Sequence, residues 1–228
     1  MNKYLTAVLL LVSINISFAQ EVIETKYYKS RYTDSKEVSE SKAKFVRTKT
    51  KYPDGRIETN HTRIKDNLTI WSKTYLNGEP AGIWFQYYDN GTLMSRLDYD
   101  QELNYSEETP KDAPYLDLYS KQPKSPIQGT LTFPTLTEYP EGFSSYFVKN
   151  MRYPGPAVEK RITGNVLVLI SIDEQGNTEV LSILKGAHKY LDLEAFRLLN
   201  ELPQWNPCKI DGKPTKVYSI VPIGFRLG

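Results

Sequence analysis

Residues 191–227 read "LDLEAFRLLNELPQWNPCKIDGKPTKVYSIVPIGFRL", and the fold turns on how this stretch changes direction. "LDLEAFRLLNELP" has helical spacing, with Asp192 and Glu194 placed in the first turn, where the helix dipole favours acids, and with Pro203 at its end. Trp205 follows between Pro203 and Pro207, and is read as an apolar plug beneath the turn, with Pro207 restricting the chain as it leaves. Asp211-Gly212 then reverses the chain, and "TKVYSIVPIGFRL" alternates Val217, Ser219, Val221, Ile223 and Phe225 as a strand. Pro222 removes one ladder donor, which points to an edge strand or a bulge. Cys208, the single cysteine, has no partner for an internal disulfide and is read as a small apolar residue of the same turn.

Upstream, "GNVLVLISIDEQGNTEVLSILKG" (164–186) reads as two strands around a turn at Asp173 to Asn177. Val166, Val168, Ile170 and Ile172 line one face of the first strand, and Leu167 and Leu169 suggest burial on both sides near its start. "GFSSYFVKNMRYP" (142–154) spaces Phe143, Phe147 and Met151 as one stripe of an amphipathic helix, stopped by Pro154. Residues 133–228 therefore form a helix–hairpin–helix–strand unit. Residues 101–132 hold Pro110, Pro114, Pro123 and Pro126 and suit a linker or a loosely packed crossing segment.

Between Tyr52 and Asp100 the units "YPDGRI", "YLNGEPAGIW" and "YYDNGTL" each set an aromatic before a turn glycine: Gly55, Gly78 and Gly91. This rhythm resembles the MORN-like repeats of the YwqK family, which implies a meander of hairpins and no particular chemistry. The region 20–100 is accordingly expected to be a β-hairpin repeat module.

Residues 1–19 combine Lys3, an apolar run, and small residues at Ser17 and Ala19. That layout predicts a signal peptide cleaved after Ala19, and a periplasmic or otherwise extracytoplasmic mature chain. The apolar run spans about 22 Å as a helix against about 30 Å of hydrocarbon, so an inner-membrane anchor is the weaker expectation. The remaining chain carries 28 basic and 27 acidic residues, a balance that gives no electrostatic reason to expect nucleic acid.

With the elements in order, the pieces Phe133-Pro134, "YFVKNMRYP", Glu194-Ala195, Trp205-x-Pro207, Asp211-Gly212-Lys213-Pro214 and "VPIGFRL" together resemble the C-terminal domain of TonB energy transducers. The resemblance implies an α+β architecture in which two helices pack on a small antiparallel sheet. It also implies a binding role, in which an outer-membrane TonB-dependent transporter offers an extended "TonB box" that adds as a strand to a sheet edge. The candidate edge is Lys216, Val217, Tyr218, Ser219, Ile220 and Val221, with Val217, Ser219 and Val221 contributing main-chain groups; the competing reading makes this an inner strand. Trp205, Pro203, Pro207, Glu194 and Gly212 are expected to be structural.

Classical transducers carry an N-terminal membrane helix and a long Pro-rich spacer, whereas here the leader looks cleavable and the spacer is short. A periplasmic binder of transporter segments is therefore expected ahead of an anchored, proton-driven transducer. A self-associating scaffold or homodimer is a third reading. No catalytic residues, metal, cofactor or small-molecule substrate are expected. His61 and His188 are far apart, with His188 read as a solvated turn residue, and no G-x-S-x-G or zinc spacing occurs. "KAKFVRTKTK" (42–51) is basic and is read as a charged strand face in preference to a peptidoglycan or nucleic-acid contact.

Overall fold

The computed structural model describes residues 20–31 and 36–228. The expected signal segment, 1–19, lies outside the described residues. The first half is a six-stranded antiparallel meander of β1 (Glu21–Tyr28), β2 (Phe45–Lys51), β3 (Arg56–Arg63), β4 (Leu68–Leu76), β5 (Glu79–Tyr87) and β6 (Leu93–Asp98), paired in sequence order. Its turns explain the sequence rhythm. In "YPDGR" (52–56) the Tyr52 N–H donates to the Arg56 carbonyl and the Gly55 N–H to the Tyr52 carbonyl; in "YDNGT" (88–92) Tyr88, Thr92 and Gly91 repeat this pattern. "DEQGN" (173–177) repeats it a third time. Gly55, Gly91 and Gly176 sit at φ 87°, 84° and 84°, a left-handed conformation that a Cβ would strain.

The meander carries two apolar clusters. At one end His61 is fully buried between the rings of Phe45 and Trp71, stacked at centroid distances of 5.2 Å from each, with Tyr28 edge-on at 5.7 Å. Its Nε2 lies 3.2 Å from the Ser30 carbonyl. Burial pushes its pKa down to about 4. At the other end Trp84, Leu97 and Tyr99 enter the main core, which the C-terminal elements share. The Trp84 indole donates to the Thr74 carbonyl at 2.7 Å, and its ring lies 4.7 Å from that of Tyr99.

Residues 101–132 are a packed crossing segment with Leu116 and Leu118 buried. Two-residue strands β7 (Leu116–Asp117) and β8 (Gln122–Pro123) make a small hairpin within it, and β9 (Leu131–Thr132) and β10 (Thr135–Leu136) follow. Helix α1 (Phe143–Asn150) ends one residue before Met151, so only Phe143 and Phe147 of the expected stripe lie within the helix. The chain does not stay extended after Pro154. A further helix, α2 (Gly155–Glu159), starts there because Pro156 in its first turn has no N–H to leave unsatisfied.

Strands β11 (Gly164–Ile172) and β12 (Thr178–Lys185) form the expected hairpin, and α3 (Lys189–Asn200) packs on it. β13 (Trp205–Asn206), β14 (Lys209–Ile210) and β15 (Lys213–Pro214) lead to the last strand, β16 (Val217–Phe225). The sheet order is β12-β11-β16, all antiparallel, so β11 is central. The whole is α+β: helices on an antiparallel sheet, preceded by a meander.

The polar residues at the start of α3 do more than the helix dipole requires. Asp192 lies in the first turn as expected and Glu194 beyond it, and both are buried, at 3% and 1% exposure. Asp192 accepts from the Ala187 N–H and the Tyr105 hydroxyl, both at 2.9 Å. Glu194 accepts the Arg152 N–H at 2.7 Å and a two-pronged contact from Arg197 at 2.7 and 2.8 Å. Burial pushes the Glu194 carboxyl above its usual range, and the hydrogen bonds and charge of Arg197 oppose that rise. His188 is exposed as expected, yet it has a function in the fold: it is the N-cap of α3, its Nδ1 accepting the Tyr190 N–H at 3.2 Å.

Removing one partner of a buried pair leaves an uncompensated charge, so Arg197→Met should cost about 3–5 kcal/mol in denaturant unfolding. The double change Glu194→Gln/Arg197→Met should cost less than the single one; a larger loss would show that the pair is not the source of the effect. His61 gives a pH signature. Its folded pKa lies below the unfolded one, so its contribution is complete above pH 6.5, falls as pH drops from 6.5 to about 4, and is gone below that. The total is on the order of 3 kcal/mol. His61→Phe, which retains the stacked ring, should lack this fall when unfolding midpoints are measured across the window. Parallel pH profiles for the two proteins would contradict it.

Candidate functional site

The last strand has two distinct sides. Along β16 the odd-numbered side chains, Val217, Ser219, Val221, Ile223 and Phe225, are buried, while Ile220, Pro222 and Gly224 are exposed and Tyr218 is half-buried. One long edge pairs continuously with β11, from Gly164↔Phe225 to Ile172↔Val217. The other is an outer edge of the three-stranded sheet.

Main-chain groups alternate in direction along an antiparallel strand, and one contact fixes their phase. The Tyr218 N–H donates to the Pro114 carbonyl at 2.9 Å, outside the sheet. Tyr218, Ile220, Pro222 and Gly224 therefore direct their main-chain groups outward, and Val217, Ser219 and Val221 spend theirs on β11. This corrects the expectation that Val217, Ser219 and Val221 present the edge. Pro222 loses its donor on the outer side, where no ladder bond to β11 is sacrificed, in keeping with its reading as an edge residue.

The outer edge is partly occupied by the chain itself. Residues 113–119 run beside it as a strap, with a parallel bridge between Tyr115 and Tyr218. The Tyr119 hydroxyl donates to the Pro222 carbonyl at 3.1 Å, and the Tyr115 and Tyr218 rings lie 5.7 Å apart. The strap is held from behind: the Ser125 hydroxyl accepts the Tyr115 N–H at 2.8 Å and donates to the Ala113 carbonyl at 3.1 Å. Ile220 lies between these two attachments, and among the described residues no second strand pairs with it on this side. A groove of about 680 Å³ opens here, lined by Tyr115, Leu116, Tyr119, Leu167, Ile220 and Pro222. Its surface is mainly apolar, with Ile220 42% exposed.

The opposite edge of the sheet is covered by the same crossing segment. The Ile183 N–H donates to the Asn104 carbonyl at 2.7 Å, and the Asn104 side chain donates to the Leu181 carbonyl at 2.8 Å.

Trp205 fixes where β16 begins. It is buried, its indole donates to the Thr178 hydroxyl at 2.9 Å, and its ring lies 5.5 Å from Phe143. Its N–H donates to the Gly176 carbonyl at 2.9 Å, and a Cβ on Gly176 would fall 2.0 Å from the Trp205 carbonyl oxygen. Helix, hairpin tip and the approach to the last strand thus meet at one indole. Pro203 and Pro207 flank it, half-buried, and Cys208 is fully buried, its thiol pKa raised by burial. Asp211 and Gly212 turn the chain with φ of 50° and 78°, and the Asp211 carboxylate accepts the Thr130 N–H at 2.8 Å. Lys216 stands at the start of the edge, 3.7 Å from Glu179.

Sequence reasoning placed Lys216–Val221 on one strand but missed Tyr115, Leu116 and Tyr119, which form the facing wall. The signal was there in "APYLDLYSKQP", where Leu116 and Leu118 alternate with polar residues as a short strand does. Among the described residues no group of three or more His, Cys, Asp or Glu is gathered as a metal site, and no helix is long and apolar enough to cross a membrane.

No curated protein and no solved structure matches the chain. Residues 149–227 match the family model described as the Gram-negative bacterial TonB protein C-terminal, a match running from the end of α1 through β16. Over those residues the chain is similar to the TonB C-terminal domain.

Proposed function

We propose that this is a periplasmic protein whose TonB C-terminal domain takes an extended peptide segment of an outer-membrane transporter onto the outer edge of β16, in support of transport. The observation that carries the reading is the outward main chain at Ile220, unpaired among the described residues, beside an apolar groove, within the stretch similar to the TonB C-terminal domain. Main-chain pairing supplies affinity with little dependence on sequence, and the groove, walled by Tyr115 and Tyr119, accepts alternate side chains of the added strand. The strap is part of the same surface. A peptide strand long enough to reach Tyr218 competes with Pro114 for its N–H, so strap release accompanies binding.

Two changes test this with a synthetic TonB-box peptide and fluorescence anisotropy. Ile220→Pro deletes the outward donor without removing a bond to β11, and should weaken binding about tenfold, the worth of roughly one hydrogen bond. Tyr115→Ala removes the ring contact that holds the strap on Tyr218, and should tighten binding several-fold. No binding of the peptide by the folded wild-type chain would overturn the reading; binding indifferent to both changes would place the peptide elsewhere.

A further inference from the structure

A second concave surface lies on the meander, away from the β16 edge and independent of its reading. It is a trough of about 760 Å³ on the sheet face, within the size range of small-ligand and oligomer subsites. One wall is basic. Arg47, Lys49 and Lys51 alternate along β2, so all three share one face at intervals of about 7 Å. The floor is β3, where Ile57 and Thr59 are short enough to leave a channel. The far wall is β4, with Lys73 between Trp71 and Tyr75.

The lysine charges are incompletely met among the described residues. Lys49 lies 3.0 Å from Glu24, and Lys73 lies 3.9 Å from Glu159. Lys51 is exposed, and among the described residues no carboxylate lies within ion-pair distance of it. Among the described residues no acid lines the trough itself. The Arg47 guanidinium is fixed by the rings of Tyr28 and Trp71, at 4.2 and 5.1 Å, so it is presented in a set position. Lys73 is three-quarters or more covered, with its ammonium 5.1 Å from the Trp71 ring and 5.2 Å from the Trp84 ring.

A row of cations at regular spacing, facing a half-buried aromatic across a neutral floor, complements a chain that carries an acid group on successive units and an apolar ring face. We infer that this trough binds an acidic carbohydrate chain, its carboxylate or phosphate groups meeting Arg47, Lys49 and Lys51 and one sugar face lying against Tyr75. Single-stranded nucleic acid fits less well, since successive bases stack on a series of open ring faces, and the trough offers one half-buried ring, Tyr75, which also packs on Trp84 at 5.0 Å, while Trp71 is buried. A membrane surface would need a protruding patch, and this surface is recessed.

The test uses the full chain with three probes of equal length: a galacturonic acid hexamer, maltohexaose and hexathymidylate, followed by titration calorimetry at low and moderate salt. The acidic hexamer should bind, with affinity falling as salt rises. Lys51→Glu should weaken it about tenfold or more, while Lys65→Glu, in the exposed β3–β4 turn, should leave it unchanged. Far-UV circular dichroism checks that both variants are folded. Failure of the acidic hexamer to bind at millimolar concentration, equal binding of maltohexaose, or tighter binding of hexathymidylate would each overturn the inference. Because the probes contain no peptide, none of these outcomes bears on the β16 edge.

Discussion

A three-stranded sheet leaves two rows of main-chain donors and acceptors without neighbours, and that constraint organises the second half of this protein. β11 is satisfied on both sides by β12 and β16. The outer rows are not, and a single crossing segment runs past both: Asn104 and Ser106 beside Ile183, Pro114 and Tyr115 beside Tyr218. Covering an edge this way guards against pairing with other chains. The cover on β16 is incomplete at Ile220, and the incomplete stretch is the one with an apolar groove beside it. Under the proposed function, protection and recognition are two states of the same row of backbone groups.

For that row to present itself, β16 must start in the correct place and lie in the correct plane. Trp205 sets the first condition by joining α1, the β11–β12 hairpin tip and the chain entering β14. Glu194 and Arg197 set the second from the helix side, tying α3 to the main chain at Asn150, the last residue of α1, and at Arg152 just beyond it. A hydrophobic contact alone would tolerate sliding of α1 over α3. Directed hydrogen bonds to a buried carboxylate do not.

Much of this arrangement was legible in the sequence because it is local. The period-two patterns of residues 164–186 and 216–226, the turn at Asp211-Gly212, and the Trp between prolines each specify their own conformation within a few residues. What stayed hidden depends on long-range register. Alternation in β16 separates odd from even residues, but it does not say which set turns its backbone outward; only the contact with Pro114, about a hundred positions away, decides that. The strap was obscured by prolines and acids that suit a linker, although Leu116 and Leu118 carry it into the core. The acids of α3 are indistinguishable from ordinary first-turn carboxylates until Arg152, Arg197 and Tyr105 are placed around them. The basic run 42–51 was recognisable as a strand face, yet its trough exists only once β3 and β4 supply Thr59 and Tyr75 opposite it.

The central claim is that the outer edge of β16 is the working surface and that the strap yields it. Amide hydrogen exchange of the full chain, read with and without saturating TonB-box peptide, addresses this directly. The account predicts slower exchange at Ile220 and its neighbours in β16 together with faster exchange in residues 113–119. Peptide-induced protection at the β12 edge, or protection of β16 with the strap left untouched, would contradict it.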